Sequence, residues 1–268
     1  MNELLIISPF NITFFILFVI FTVLFILLRG FVLKRGEKCA KTAVVSMAAL
    51  TLVLYIIYKF GLTRDAAYSD ILVNAGKHPF NVWNELPFHL CNINIILVPV
   101  SALTGRRSLK GFAFFVAPLG AMIALAMPVV GFSGYSLLLP RIFGYYVTHF
   151  LIIFLGLSQY AFGLYEPHIK DVFGMSAALV VFSFSAFIIN VVFRSTGISL
   201  DANYFYTYDP SDNPILMMLY RFIPIRYVYV LPCILILAVY VLLIFAILRL
   251  QKKIGKGRRI EPAQEKQK

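Results

Sequence analysis

The chain has 268 residues, of which 60% are hydrophobic, 16% aromatic and only 13% charged. Soluble domains run nearer half apolar and a quarter charged, so an ordinary soluble fold is excluded and a polytopic membrane protein is implied. The formal charge of +12 does not point to nucleic acid, because Lys and Arg lie in short clusters between apolar runs, where they orient a chain in the bilayer.

A spanning helix needs roughly 17 to 25 largely apolar residues. In chain order, seven windows qualify: Phe10 to Leu28, Thr42 to Leu62, Leu86 to Leu103, Gly111 to Val130, Ile142 to Phe162, Val172 to Phe193, and Tyr227 to Leu248. The expected fold is all-α with seven transmembrane helices, one membrane domain over residues 1–250 and a basic, disordered tail over residues 251–268. The first window has no basic residue before it and no small-x-small exit, so it reads as an anchor and not as a cleaved signal peptide. The third contains His89, Asn92 and Asn94, with Pro87 in the first turn, where a helix tolerates proline. With the N-terminus outside, seventeen Lys and Arg fall on inner segments and seven on outer ones. This asymmetry predicts an outside N-terminus and a cytoplasmic C-terminus. Between Arg194 and Arg226 the only long outer segment carries a turn, with Asn213 as N-cap and Pro214 at the first position of a short interfacial helix to Phe222. The basic tail is suited to contact anionic lipid head groups.

The spans hold no clear Asp or Glu, which argues against an ion-coupled transporter. Their titratable groups are His89, Cys91, His149 and Cys233. In the predicted topology the third and fifth helices run parallel, and about 1.5 Å of rise per residue places Cys91 and His149 roughly 6 and 10 Å below the outer surface. A cysteine and a histidine at matched depth form the minimal apparatus of thiol catalysis: the imidazole takes the thiol proton and the thiolate attacks an acyl carbonyl. Asn94 and Tyr145, each one helical turn from its partner, are suited to orient the imidazole or donate to an oxyanion. His89, two residues before Cys91, projects to another helical face and is a helper at most. Two plainer readings stand beside this one. Cysteine and histidine in a membrane helix are commonly packing residues, and Cys91 has Cys233 as a disulfide candidate at the outer level. No metal-ligand spacing, phosphate loop or dinucleotide fingerprint is present, so no cofactor is expected. The small residues Ala113, Ala117, Gly120, Ala121 and Ala124 read as a close-packing helix face.

The run Leu86-Pro87-Phe88-His89-Leu90-Cys91-Asn92, followed by an aliphatic helix, resembles the Leu-Pro-x-x-Leu-Cys signature of the YwaF-type bacterial membrane proteins and the eukaryotic transmembrane protein 164 acyltransferases. Arg141 to Ile153, an aromatic helix in which His149 leads an aliphatic run, and Ala202-Asn203-Tyr204-Phe205 after the sixth window are similar to two further elements of that family. The resemblance spans roughly residues 40 to 250, with Phe88 standing where the family carries a smaller aliphatic residue. It implies a seven-helix fold related to the androgen-induced-gene lipid hydrolases, with the family's Cys and His falling on Cys91 and His149. It further implies a cysteine-dependent lipid acyltransferase of the bacterial plasma membrane that moves fatty acyl chains between phospholipids. His89, Asn94, Tyr145, Asn203 and Tyr204 would bind substrate or support the pair. A lipid hydrolase using the same site and a non-catalytic permease or scaffold are the alternatives. Oligomeric state is not specified.

Overall fold

A computed structural model describes residues 5–211 and 213–257 and shows an all-α protein. The chain divides at Val230 into two compact units. In the first lie α1 (Ile12–Leu33), α2 (Glu37–Leu62), α3 (Ala66–Asn74), α4 (Asn94–Thr104), α5 (Arg107–Ala126), α6 (Pro140–Ala161), α7 (Asp171–Ser195) and α8 (Pro214–Phe222). The second carries α9 (Cys233–Gly257). α9 continues past Gln251, into the segment expected to be a disordered tail; residues 258–268 lie outside the described residues. A two-residue antiparallel ladder pairs β1 (Ile6–Ile7) with β2 (Tyr135–Ser136), a small element that no hydropathy window signals.

Among the described residues six helices, α1, α2, α5, α6, α7 and α9, are long and apolar enough to cross a membrane. The third predicted span is the exception. Its helix begins only at Asn94 and has 11 residues, about 16 Å at 1.5 Å per residue against a hydrocarbon core of about 30 Å. Residues 86–93 are turns instead. Their carbonyl neighbours find partners outside a helix: Tyr55 donates its hydroxyl to the Glu85 carbonyl at 2.6 Å, and Tyr204 donates to the Trp83 carbonyl. Backbone that is satisfied by side chains has no need of the α-helical ladder, even at membrane depth.

α6 is the centre of the first unit. Its apolar window is 83% buried, against 6% in α1, and it packs on α1, α2, α4 and α5. Glycine makes two of those contacts possible. A Cβ at Gly144 would stand 2.4 Å from Tyr58 Cβ of α2, and one at Gly156 would stand 2.8 Å from the Ala113 carbonyl of α5. The small face of α5 is buried as expected, with Ala113, Ala117 and Ala121 fully covered. α1 meets α6 through aromatic rings, Phe21 on Phe150 and Phe25 on Phe154 with centroids 5.6 and 5.0 Å apart.

The two ends of this unit are held by different contacts. At one end Arg107 makes a bidentate bond to Asp171 at 2.9 and 2.6 Å, and Lys110 donates to the Leu164 carbonyl at 2.7 Å. These join the start of α5 to the α6–α7 turn. At the other end Arg141 pairs with Asp65 at 2.7 Å and Lys59 with Glu85. There His78 also pairs with Asp201 at 2.9 Å. The segment after α7 is built around Arg194, which donates to the Ala202 carbonyl and to Asp209 at 2.8 Å each and lies over the Tyr208 ring. α8 starts as its sequence predicts, with Asn213 Oδ1 accepting from the amides of Ile215 and Leu216 at 3.1 Å.

Candidate active site

The base is placed by a regular helix. His149 lies in the middle of α6 and is 4% exposed. Its Nδ1 is 2.7 Å from the Tyr145 carbonyl one turn earlier. A carbonyl only accepts, so Nδ1 carries the proton of the neutral ring and Nε2 is left with its lone pair. The Tyr145 ring lies against the imidazole, centroids 4.3 Å apart, while its hydroxyl donates to the Ala124 carbonyl at 2.5 Å. Tyr145 thus orients His149 through its carbonyl and ring face, and its hydroxyl is committed elsewhere.

The thiol is placed by an irregular segment. Cys91 is 9% exposed and sits in the turn that leads into α4, where the amides of Asn94, Ile95 and Ile96 bond to the carbonyls of Cys91, Asn92 and Ile93 at 3.0 to 3.2 Å. This i to i+3 pattern is a 3-10 turn, in which residues three apart stand one above the other. The α-helical spacing expected of Cys91 and Asn94 does not apply here, because the α-helix begins only at Asn94. Behind the turn is α5: a Cβ at Gly120 would meet Leu90 at 3.4 Å and the Cys91 amide nitrogen at 3.6 Å. The thiol has the Asn92 amide oxygen at 3.6 Å. Cys91 and His149 are in contact in the buried interior. Cys39, Cys91 and Cys233 are all free thiols, so the Cys91 to Cys233 disulfide is not formed.

Of the supporting residues, Asn94 is fully buried; its Nδ2 donates to the Leu90 carbonyl at 2.7 Å and its Oδ1 has no partner among the described residues. One of its two amide protons is thus committed to the main chain of the preceding turn. His89 is half-buried, with its ring 5.2 Å from Tyr204 and 6.0 Å from Tyr206. The separate helical face assigned to it from sequence does not exist, because residues 86–93 are not helical. Tyr204 is fully buried and also packs its ring on Phe88, centroids 5.4 Å apart. Its peptide is gripped by the buried Asn190, which accepts from the Tyr204 amide at 2.8 Å and donates to its carbonyl at 2.9 Å. Asn203 turns the other way: its amide donates to the Asp209 carbonyl and carboxylate and to Ser211 at 2.8 to 2.9 Å, which makes it an organiser of its own loop. Among the described residues no cluster of His, Cys, Asp or Glu is placed to hold a metal.

Sequence reasoning missed the ion pair beside the site. Lys59 Nζ meets Glu85, donates to the Tyr58 hydroxyl at 3.0 Å and lies over the Tyr58 and Tyr55 rings at 4.5 and 5.4 Å. Glu85 immediately precedes the Leu-Pro motif. α2 therefore holds this residue by side chain and by main chain, and so sets where the Cys91 segment begins. The available signal was a lysine at the end of an apolar window and a glutamate just ahead of the motif; the lysine was read only as an orienting charge.

No curated protein and no solved structure is significantly similar to this sequence. Residues 6–247, from before α1 into α9, match the TMEM164 family, and with nearly the whole chain included in the match the protein belongs to that family of multi-pass membrane proteins.

Proposed function

We propose that this protein is a membrane lipid acyltransferase that works through a thioester on Cys91. The observation that carries the reading is the buried contact of Cys91 with a histidine whose tautomer is set by a backbone carbonyl. His149 Nε2 takes the thiol proton as Sγ attacks the ester carbonyl of a phospholipid. It then returns the proton to the departing lysolipid oxygen. A second lysolipid hydroxyl resolves the thioester by the same steps in reverse order, and the acyl chain has moved between phospholipids. The buried, largely apolar surroundings suit an acyl chain, and the resemblance to the transmembrane protein 164 acyltransferases supports the substrate class.

The orientation that fits this reading has the N-terminus outside a bacterial plasma membrane, the site toward the outer leaflet and the basic tail against anionic head groups. α4 and the turns before it would then make a seventh, partly irregular crossing, tolerated because protein surrounds the turns.

The test is transfer of a labelled acyl chain between phospholipids in membranes holding each variant. Cys91→Ala, Cys91→Ser and His149→Ala are each expected to lose transfer almost completely, because members of one catalytic unit are strongly non-additive. His89→Ala is expected to retain substantial transfer. Wild-type transfer that survives in Cys91→Ala at equal protein level overturns the thioester mechanism. An absence of transfer in wild type favours a non-catalytic role.

A further inference from the structure

Acyl transfer through a thioester passes twice through a tetrahedral adduct whose oxygen carries a negative charge, and a buried site has to meet that charge with hydrogen-bond donors. The Tyr145 hydroxyl, one donor expected from sequence, is committed to the Ala124 carbonyl at 2.5 Å. Asn94, the other, turns its amide to the Leu90 carbonyl at 2.7 Å. The single ring proton of neutral His149 is held by the Tyr145 carbonyl at 2.7 Å. The donor is therefore to be sought among the other groups that touch the thiol.

Asn92 is such a group. It is 5% exposed, and its Oδ1 is 3.6 Å from Cys91 Sγ. A neutral thiol donates, so the oxygen end of the amide faces it and the NH2 end is left over. Nδ2 donates to no described group, yet it is not sealed. Asn94 Oδ1, Tyr146 Oη and Gln159 Oε1 are the side-chain atoms that are both enclosed and unpartnered among the described residues, whereas Asn92 Nδ2 keeps open surface. An unpaired donor in a buried site is costly and calls for an explanation, here an acceptor that arrives with the substrate. The main chain adds to it. The amides of Cys91 and Asn92 bond to no described carbonyl and lie within hydrogen-bonding reach of the sulfur. In the adduct the acyl oxygen is only two bonds from that sulfur, among these three donors.

We propose that Asn92 is a further catalytic residue, whose side-chain amide, with the main-chain amides of Cys91 and Asn92, forms the oxyanion hole for acyl transfer; this rests on the thioester reading above. As Sγ bonds to the ester carbon, its proton passes to His149 Nε2 and the carbonyl π pair moves onto the oxygen, to which Nδ2 donates. The pair returns to the carbon as the bond to the lysolipid oxygen breaks, and that oxygen takes the proton from Nε2. In the second half an acceptor hydroxyl adds to the thioester carbon and gives its proton to Nε2. The oxygen again carries the charge against Nδ2 until the carbon–sulfur bond breaks and the thiolate regains the proton. Both halves of the reaction need the same donor.

The experiment uses the full chain in phospholipid vesicles that carry a labelled acyl donor and lysophospholipid. It compares acyl transfer with alkylation of Cys91 by an iodoacetamide borne on a fatty chain. Alkylation displaces iodide and creates no oxyanion, so it reads only the thiol and access to it. Asn92→Leu, close in volume, and Asn92→Ala, where they unfold in detergent at the wild-type temperature, are each expected to lower kcat for transfer about 100-fold, with KM and the alkylation rate within about threefold of wild type, the pattern of a lost oxyanion donor. Transfer that stays within about threefold of wild type overturns the assignment of Asn92. Equal losses of transfer and alkylation in a folded variant also overturn it, since they mark a residue that only places the thiol. A donor lipid with sulfur in place of the ester carbonyl oxygen tests wild type without any substitution: sulfur is a weak acceptor, so transfer is expected to be about 100-fold slower than from the ester, and equal rates overturn the oxyanion hole. Each of these failures leaves the acyltransferase intact as long as wild-type Cys91 takes up acyl label that hydroxylamine removes. No such label on wild type overturns the acyltransferase reading itself, and this inference with it.

Discussion

The two halves of the candidate pair are held in opposite ways. His149 stands on the most enclosed helix of the first unit, one turn after the carbonyl and ring that orient it. Everything that positions it lies within α6 or in the helices pressed against that helix. Cys91 stands in a turn whose place is set from both sides by residues distant in sequence. Lys59 and Tyr55 of α2 hold Glu85, and Tyr204 and Asn81 tie residues 81–83 to the segment after α7. A helix positions a base cheaply in sequence terms, because one run of residues suffices. Presenting a thiol in the turn before a short helix requires tertiary clamps.

The sharpest way to break this contrast is to remove a clamp. Lys59→Met leaves the Glu85 carboxylate without its counter-ion, and Glu85→Gln leaves the ammonium alone among tyrosine rings. Either loss is expected to destabilise the protein by about 3 kcal/mol, as befits a mostly enclosed pair. Measured by thermal unfolding in detergent and by alkylation of Cys91, both variants are expected to unfold earlier and to expose the thiol to a maleimide that wild type excludes. Unchanged alkylation would show that α2 does not hold the Cys91 segment.

The other arm is tested through Gly144. Its Ala variant puts a methyl into the Tyr58 side chain, with atoms at 2.4 to 2.8 Å. Overpacking outweighs the roughly 1 kcal/mol gained in helix propensity, and a net destabilisation of about 2 kcal/mol is expected. Here the His149 side should suffer first: acyl transfer falls while α4 and its turn stay protected from alkylation. A Tyr58→Gly change in the same chain, which removes the Cβ as well as the ring, is expected to recover part of the loss, which a defect unrelated to the α2–α6 contact would not show.

The smallest effect belongs to a place that serves neither arm. Asn213→Ala removes the cap of α8 and is expected to cost about 1 kcal/mol locally, read as faster amide exchange in residues 214–222, with acyl transfer within twofold of wild type. A larger loss of transfer would tie α8 to the site.

The membrane character of the protein, the approximate places of α1, α2, α5, α6, α7 and α9, the cap of α8 and the candidacy of Cys91 and His149 are all legible in the chain itself. Each is a local property: a run of apolar residues with few charges, an Asn before a Pro, a short motif. The length of α4 was not legible. Residues 86–93 are apolar enough to read as helix, yet they form turns next to Glu85 and Trp83, whose carbonyls accept from tyrosines 30 and 121 residues away. The same is true of the pairs Lys59 with Glu85 and Arg141 with Asp65, which look like separate surface charges until the fold brings them together. Hydropathy reports the solvent a segment prefers, whereas the geometry of the site depends on which distant groups satisfy its backbone and charges, and that information exists only once the helices have packed.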